Sequence, residues 1–182
     1  MEEKFQKATF ASGCFWCGEA IFEELEGVIS VVSGYAGSSA ESGRSPSYEE
    51  VSSGKTGYAE AIRITFEPEK ISYQDLLEVF WATHDPTTKD RQGPDIGHQY
   101  RSVIFYHNEE QKLLAEESKK RLEESGEFKK PIITEIMPFQ KLFPAGKYHQ
   151  DFYSHNPDAP YCRAVINPKL EKFRKKFKDK LK

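Results

Sequence analysis

Two long stretches without regular periodicity, residues 34–57 and 84–99, most constrain what this chain can fold into. The first holds five glycines (Gly34, Gly37, Gly43, Gly54, Gly57) and seven serines; the second holds Pro86, Gly93, Pro94 and Gly97. Irregular segments of that length are rare in a compact domain, and are typically functional or disordered. Short regular segments surround them. Residues 58–66 alternate, with Tyr58, Glu60, Ile62, Ile64 and Phe66 on one face and Ala59, Ala61, Arg63 and Thr65 on the other, which predicts a strand. Further strands are expected over 7–11, 28–33, 101–107 and 131–137. A helix is expected over 15–26, with Phe15, Phe22 and Leu25 inward and Gly27 closing it. A second opens at Ser72, whose spacing to Asp75 forms a capping box, and stops before Pro86. A third runs from Asn108, with Gln111, to Gly126. Residues 148–153 read as a helical turn and 154–168 as a loop. Strands and helices mixed in this way, with long loops, predict an α+β chain arranged as an α/β sandwich.

At 182 residues the chain reads as one domain spanning 1–182, long enough to bury roughly 70% of its unfolded surface. No apolar run approaches the length of a membrane span. Residues 1–5 show no apolar h-region, so neither a secretion signal nor a membrane is expected, and the default location is the cytoplasm. A net charge of −3 argues against general nucleic-acid binding, and 24 aromatic residues (13 Phe, 9 Tyr, 2 Trp) argue against disorder. The charge is uneven: residues 169–182 carry eight Lys/Arg against Glu171 and Asp179, a local +6, which leaves −9 for the rest. There Leu170, Phe173, Phe177 and Leu181 recur at helical spacing. A C-terminal helix docked by that stripe is expected, the alternative being a basic arm for a membrane surface or nucleic acid.

Three cysteines make no disulfide framework, so they read as thiols. Cys14 follows Gly13 between a strand and a helix, where the helix dipole and free amides are expected to lower a thiol pKa. Phe15 and Trp16 come next and suit either the core or the wall of an apolar pocket. Cys17 completes one C-x-x-C. Helix neighbours at that spacing have Cβ atoms about 5–6 Å apart, so closing a disulfide needs local distortion. A zinc site needs a second ligand pair, and only Cys162 and five scattered histidines remain, so no metal is expected. Glu60 sits on an otherwise apolar strand face. If that face is buried, its carboxyl keeps its proton near neutral pH; turned outward or paired with an arginine, it does not. Tyr48, Asp95, Tyr100 and His149 lie in or beside the irregular segments, where functional residues concentrate.

Taken together, Gly13-Cys14-Phe15-Trp16, Gly34-Tyr35-Ala36-Gly37, Tyr48-Glu49-Glu50-Val51 with Gly57-Tyr58-Ala59-Glu60, His84-Asp85-Pro86-Thr87, residues 95–102, Tyr148-His149-Gln150 and Pro168-Lys169-Leu170 resemble the peptide methionine sulfoxide reductase A family, in order and over nearly the whole chain. The reading as a whole is therefore a two-layer α/β sandwich with a ferredoxin-like core, a mixed sheet and long loops. The resemblance implies reduction of the S epimer of methionine sulfoxide, free or in proteins, as a repair activity under oxidative stress. It makes Cys14 the nucleophile, and Phe15 and Trp16 the pocket for the S-methyl group. Glu60 becomes the acid that protonates the sulfoxide oxygen, helped by Tyr48 and Tyr100, with Asp95 and His149 around the substrate. The product is methionine and a sulfenic acid on Cys14, which a second cysteine converts to a disulfide for thioredoxin to reduce. No bound cofactor is implied, and a monomer is expected.

The chain departs from the family pattern in several places. Cys17 and Tyr58 stand where many members have Gly and His, Gly146 replaces a usual Glu, and Phe152 replaces a frequent Tyr whose hydroxyl would meet the substrate. The Gly-rich C-terminal tail with additional cysteines is absent. The resolving thiol is then Cys17 or Cys162, with Cys162 preferred on the expectation that it rides a flexible loop. Two rival readings remain: a general thiol–disulfide oxidoreductase built on Cys14 and Cys17, and a non-catalytic module that binds methionine-rich segments through Phe15 and Trp16.

Overall fold

The structure is a computed structural model that describes residues 3–37 and 45–182; the middle of the first irregular stretch, 38–44, lies outside the described residues, as do Met1 and Glu2. In chain order the elements are β1 (Gln6–Ser12), α1 (Phe15–Phe22), β2 (Val28–Ala36), α2 (Tyr48–Ser52), β3 (Ala59–Phe66), α3 (Tyr73–Ala82), β4 (Arg91–Gln92), β5 (Asp95–Ile96), β6 (Ser102–Tyr106), α4 (Glu109–Ser125), β7 (Glu135–Pro138), β8 (Phe143–Pro144), α5 (Phe152–His155) and α6 (Asn167–Lys176). Six strands form one sheet in the order β7-β6-β1-β3-β2-β8, while β4 and β5 pair separately. All pairs in the large sheet are antiparallel except β6–β7, and α4 supplies the crossover that a parallel pair requires. The inner order β6-β1-β3-β2, with α1 after β1 and α3 before β6, is the expected ferredoxin-like βαββαβ core.

The alternation in β3 explains why it lies at the centre. Ile62, Ile64 and Phe66 enter the main core beneath α1, α3 and α6. Ala59 and Ala61 face the other way, and their small side chains let Leu142, Met137 and Phe139 lie against the sheet with Val103 and Phe105. Every residue of α1 except Trp16 is buried, as suits a helix enclosed by the sheet, α5 and α6. Gly18 lets it approach closely, since a Cβ there would sit 3.2 Å from Ile62. Gly13 turns the chain from β1 into α1 at φ +100°, where a Cβ would also lie 2.7 Å from Gln92. Gln92 in turn brackets the second irregular stretch: its amide accepts from Asp85 N at 2.9 Å and donates to Asp85 O at 2.9 Å.

The caps form as the spacing predicts. Ser72 and Asp75 exchange side-chain and backbone bonds at 3.0 and 3.1 Å, and Asn108 accepts from Gln111 N at 2.9 Å. Three boundaries differ. α1 stops at Phe22, because residues 24–26 bond to the C-terminal segment instead (Glu26 N to Lys180 O at 2.8 Å, Lys182 N to Glu24 O at 2.9 Å). The strand expected over 131–137 is confined to Glu135–Pro138, where β6 gives it a partner. The third difference is larger: the expected loop over 154–168 is mostly helical. A π-helical turn, Cys162–Ile166, runs directly into α6, and its wide geometry falls just before Pro168, whose missing N–H would interrupt a regular ladder. The basic segment docks through Leu170, Phe173 and Phe177, all buried, while Arg174 pairs with Glu24 and Lys180 with Asp75 at 3.0 Å. Among the described residues no helix is long and apolar enough to cross a membrane.

If that stripe holds α6, Phe173→Ala lowers unfolding free energy by about 3–5 kcal/mol, whereas Lys175→Ala on the exposed face changes it by less than about 0.5 kcal/mol, both read from urea unfolding midpoints.

Candidate active site

The centre of the site is the junction of β1 and α1. Cys14 is the N-cap of α1, with φ −58° and ψ 126°. As the N-cap it lies outside the regular helix, so the spacing expected of two helical residues does not apply to Cys14 and Cys17. Their thiols are hydrogen-bonded to each other. The first amide of the helix, Phe15 N, donates to Glu60 Oε1 at 3.2 Å. Glu60 is 2% exposed, on the inward face of β3 as its alternation predicts. Burial pushes its pKa up to about 8; the Phe15 amide opposes this, while the negative charges of Asp95 and Cys17 add to it. At neutral pH this carboxyl therefore carries a proton.

The thiols differ from expectation. Burial, the bond to Cys17 and the charges of Glu60 and Cys17 hold the Cys14 pKa well above the ordinary range, against the lowering expected from the helix terminus alone. The lowered thiol is Cys17, brought down to about 7 by the Cys14 S–H, with Lys169 and the Tyr161 hydroxyl helping against the cost of burial. Desolvation outweighs the dipole at Cys14, and the pair keeps its negative charge one turn deeper.

Two tyrosines close over Glu60. Tyr48 opens α2, whose N-cap Ser47 accepts from Glu50 N at 3.1 Å, and Tyr100 comes from the turn before β6. Their hydroxyls are hydrogen-bonded to each other. Burial raises both above the usual phenol range, with the charge of Glu60 adding, so both remain donors. Tyr35, directly opposite Glu60 in the β2–β3 register, is raised by burial and by the same charge. Its hydroxyl is buried with no partner among the described residues.

Aromatic rings form the outer wall. Trp16 Nε1 donates to His149 Nδ1 at 3.2 Å, which leaves the His149 proton on Nε2. Burial lowers the His149 pKa, in keeping with a neutral acceptor. His149 also stacks on Tyr48 at 4.6 Å and meets Phe15 at 5.4 Å. Phe152 stacks on Trp16 with centroids 3.6 Å apart and planes within 6°. The ring that lacks a family hydroxyl thus contributes a flat apolar surface. Asp95 Oδ2 accepts from the Tyr161 hydroxyl at 2.5 Å, and that hydroxyl lies 3.6 Å from Cys17 Sγ.

Cys14, Phe15, Trp16, Cys17, Tyr48, Glu60, Asp95, Tyr100 and His149 therefore share one site. Cys162 does not ride a flexible loop: it is fully buried in the π-helical turn, where burial and the charge of Cys17 raise its pKa. Tyr161, which the resemblance sets only beside Cys162, and Tyr35 were not expected at the site. Tyr35 lies in a motif, but only strand register puts it opposite Glu60; no local signal ties Tyr161 to a carboxylate 66 residues away.

The model of the family "Peptide methionine sulfoxide reductase" matches residues 6–181. The chain is 52% identical over 174 residues to "Peptide methionine sulfoxide reductase MsrA" of Thermus thermophilus, covering 96% of each. It is 50% identical over 173 residues to the protein of that name from Sulfolobus acidocaldarius, covering 95% of this chain and 96% of the other. Among solved structures, reduced Mxr1 of Saccharomyces cerevisiae superposes with a TM-score of 0.76 at 32% identity, over 87% of this chain and 90% of that one. Mxr1 is also solved in complex with Trx2, where the likeness, 22% identity and TM-score 0.54, concerns the fold. A family match over nearly the full length, on a site that sets a buried neutral carboxyl beside a cysteine at a helix start, makes this chain a member of the peptide methionine sulfoxide reductases.

Proposed function

We propose that Cys14 attacks the sulfur of methionine-(S)-sulfoxide, that Glu60 supplies the proton its oxygen needs, and that Cys17 resolves the product. One observation carries this reading: the carboxyl of Glu60, buried and protonated, is held by the amide of the residue next to Cys14. A sulfoxide oxygen leaves sulfur poorly unless it is protonated, so the donor must be neutral at working pH and within reach.

Cys14 passes its proton to the Cys17 thiolate as it forms a bond to the sulfoxide sulfur. Glu60 protonates the oxygen, with the Tyr48 and Tyr100 hydroxyls orienting it. The S-methyl group lies against Phe15 and Trp16, within a wall completed by His149, and Asp95 holds Tyr161 beside the thiols. In the resulting adduct the hydroxyl passes from the substrate sulfur to Cys14 sulfur as the S–O bond and the new S–S bond break, and the S–S electron pair stays on methionine. Methionine leaves, a two-electron reduction, and Cys14 carries a sulfenic acid. Cys17 sulfur then attacks that sulfenic acid; water leaves with the Cys17 proton, and a disulfide remains. Fixed positions for nucleophile and acid on either side of the sulfur select one epimer.

Cys17 is preferred to Cys162 as the resolving thiol, because its sulfur already contacts Cys14 while Cys162 is locked in a helical turn. The disulfide needs an external dithiol protein. Thioredoxin is the proposed reductant, in line with the complex that Mxr1 forms with Trx2. The reading includes a monomer acting in the cytoplasm on free or protein-bound substrate, without a bound cofactor.

Turnover of each epimer with dithiothreitol tests the assignment. The wild type reduces the S epimer; Cys14→Ser abolishes turnover, and Glu60→Gln lowers it about 100-fold or more. Disulfide reductase activity indifferent to Glu60→Gln marks the oxidoreductase alternative. Binding that survives Cys14→Ser, with no wild-type turnover, marks the binding module.

At saturating substrate, kcat rises through about pH 7 as the thiol pair ionises at Cys17, and falls through about pH 8 as Glu60 loses its proton. In Glu60→Gln the alkaline limb disappears from the residual kcat.

Thiol counting after one turnover without reductant separates the resolving cysteines. Cys162→Ser still forms the internal disulfide and Cys17→Ser does not; the reverse pattern assigns the role to Cys162.

A further inference from the structure

One buried carboxyl outside the reacting centre, Glu19 of α1, is 2% exposed and fully engaged. Ser33 Oγ donates to its Oε2, and the backbone amide of Asp151 donates to its Oε1. Asp151 adopts a left-handed conformation, φ 53° and ψ 34°, which a residue with a side chain seldom takes unless its surroundings impose it. Its neighbour Gln150 is clamped to β2: it accepts from Ser33 N at 3.1 Å and donates to Ser33 O at 2.8 Å and Ala145 O at 2.9 Å. The two residues flanking this corner, His149 and Phe152, are those that bond to and stack on Trp16. A closed ring of contacts therefore runs from Trp16 through His149 and Phe152 to the Asp151 amide, and back through Glu19 to the helix that carries Trp16.

We propose that Glu19 is a positioning residue for the reductase reaction: by holding the Asp151 amide, it keeps His149 and Phe152 seated on Trp16 and so fixes the wall that receives the substrate's methyl group. The proposal rests on the function assigned above. It predicts an effect on substrate binding rather than on the chemical step, because Glu19 touches neither Cys14 nor Glu60.

The clasp also responds to pH. Glu23 and Asp151 have carboxyl oxygens within 4.8 Å of that of Glu19, and Lys182 is the cation facing Glu23. Burial pushes Glu19 up to about 7 and Glu23 to about 8. Near neutrality the cluster keeps a proton. As pH rises past both values, the three negative charges repel one another and loosen the corner, so KM rises with pH.

The test is steady-state kinetics on methionine sulfoxide for the wild type, Glu19→Gln and Glu19→Ala. Glutamine keeps an acceptor for the Asp151 amide and offers a donor to Ser33 Oγ, so KM stays within about twofold and its alkaline rise flattens. Alanine removes both partners, and KM rises about tenfold while kcat changes less than about threefold. Should Glu19→Ala not fold, Ser33→Ala decides, with a KM rise of about threefold expected. An unmoved KM in the alanine variant that folds, an equal loss in kcat, or a glutamine variant as impaired as alanine overturns the proposal. Loss of wild-type activity to a chelator also overturns it, by putting a cation where the proton is assigned. A wild type without turnover defeats the function itself; a wild type that turns over, with variants unmoved, defeats only Glu19.

Discussion

The hydrogen bond from Phe15 N to Glu60 Oε1 joins the first turn of α1 to the middle of the sheet, and the rest of the site depends on it. A helix start offers amides that need acceptors, and a buried carboxyl needs a donor. Each meets the other's need at one point, which places a reactive sulfur and an acid a single residue apart. Because that one amide is a weak counterweight to burial, Glu60 keeps its proton. A lysine or arginine in its place would have ionised the carboxyl and removed the acid. Glu60 instead faces the phenols of Tyr48 and Tyr100 and the thiol of Cys17.

The same logic extends outward. Gly13 supplies the left-handed turn that aims α1, and Gln92 packs over it while pinning the segment that leads to Asp95. Asp95 holds the Tyr161 hydroxyl beside Cys17, and this hydroxyl favours negative charge on both sulfurs of the pair. The thiol pair thus divides two duties through its shared hydrogen bond. That bond favours charge on Cys17 and the proton on Cys14.

Periodicity made the framework legible. The alternation in 58–66 identified the central strand and the buried face of Glu60, and the spacing of Ser72 to Asp75 and of Leu170, Phe173 and Phe177 located two helices. What stayed hidden depends on non-local terms. The Cys14 pKa is set by desolvation and by a partner thiol, neither of which a helix-start argument contains. Asn156 and Pro157 do form loop, as they read; what the loop reading missed is that Pro160 opens a helical run, a first-turn position that suits proline, and the run continues through the π turn to α6. The bond between Tyr161 and Asp95 spans 66 residues and leaves no local trace.

The sequence distances within the site carry a consequence of their own. Trp16 reaches His149 across 133 residues, and Phe15 reaches Glu60 across 45. Such contacts close late in folding, because the intervening loops must be ordered first. A molecule caught halfway therefore has three ordinary thiols, and its Glu60 is one ordinary carboxylate among 29 acidic residues. It is as open to oxidative damage as any client, yet it has none of the chemistry needed to mend one.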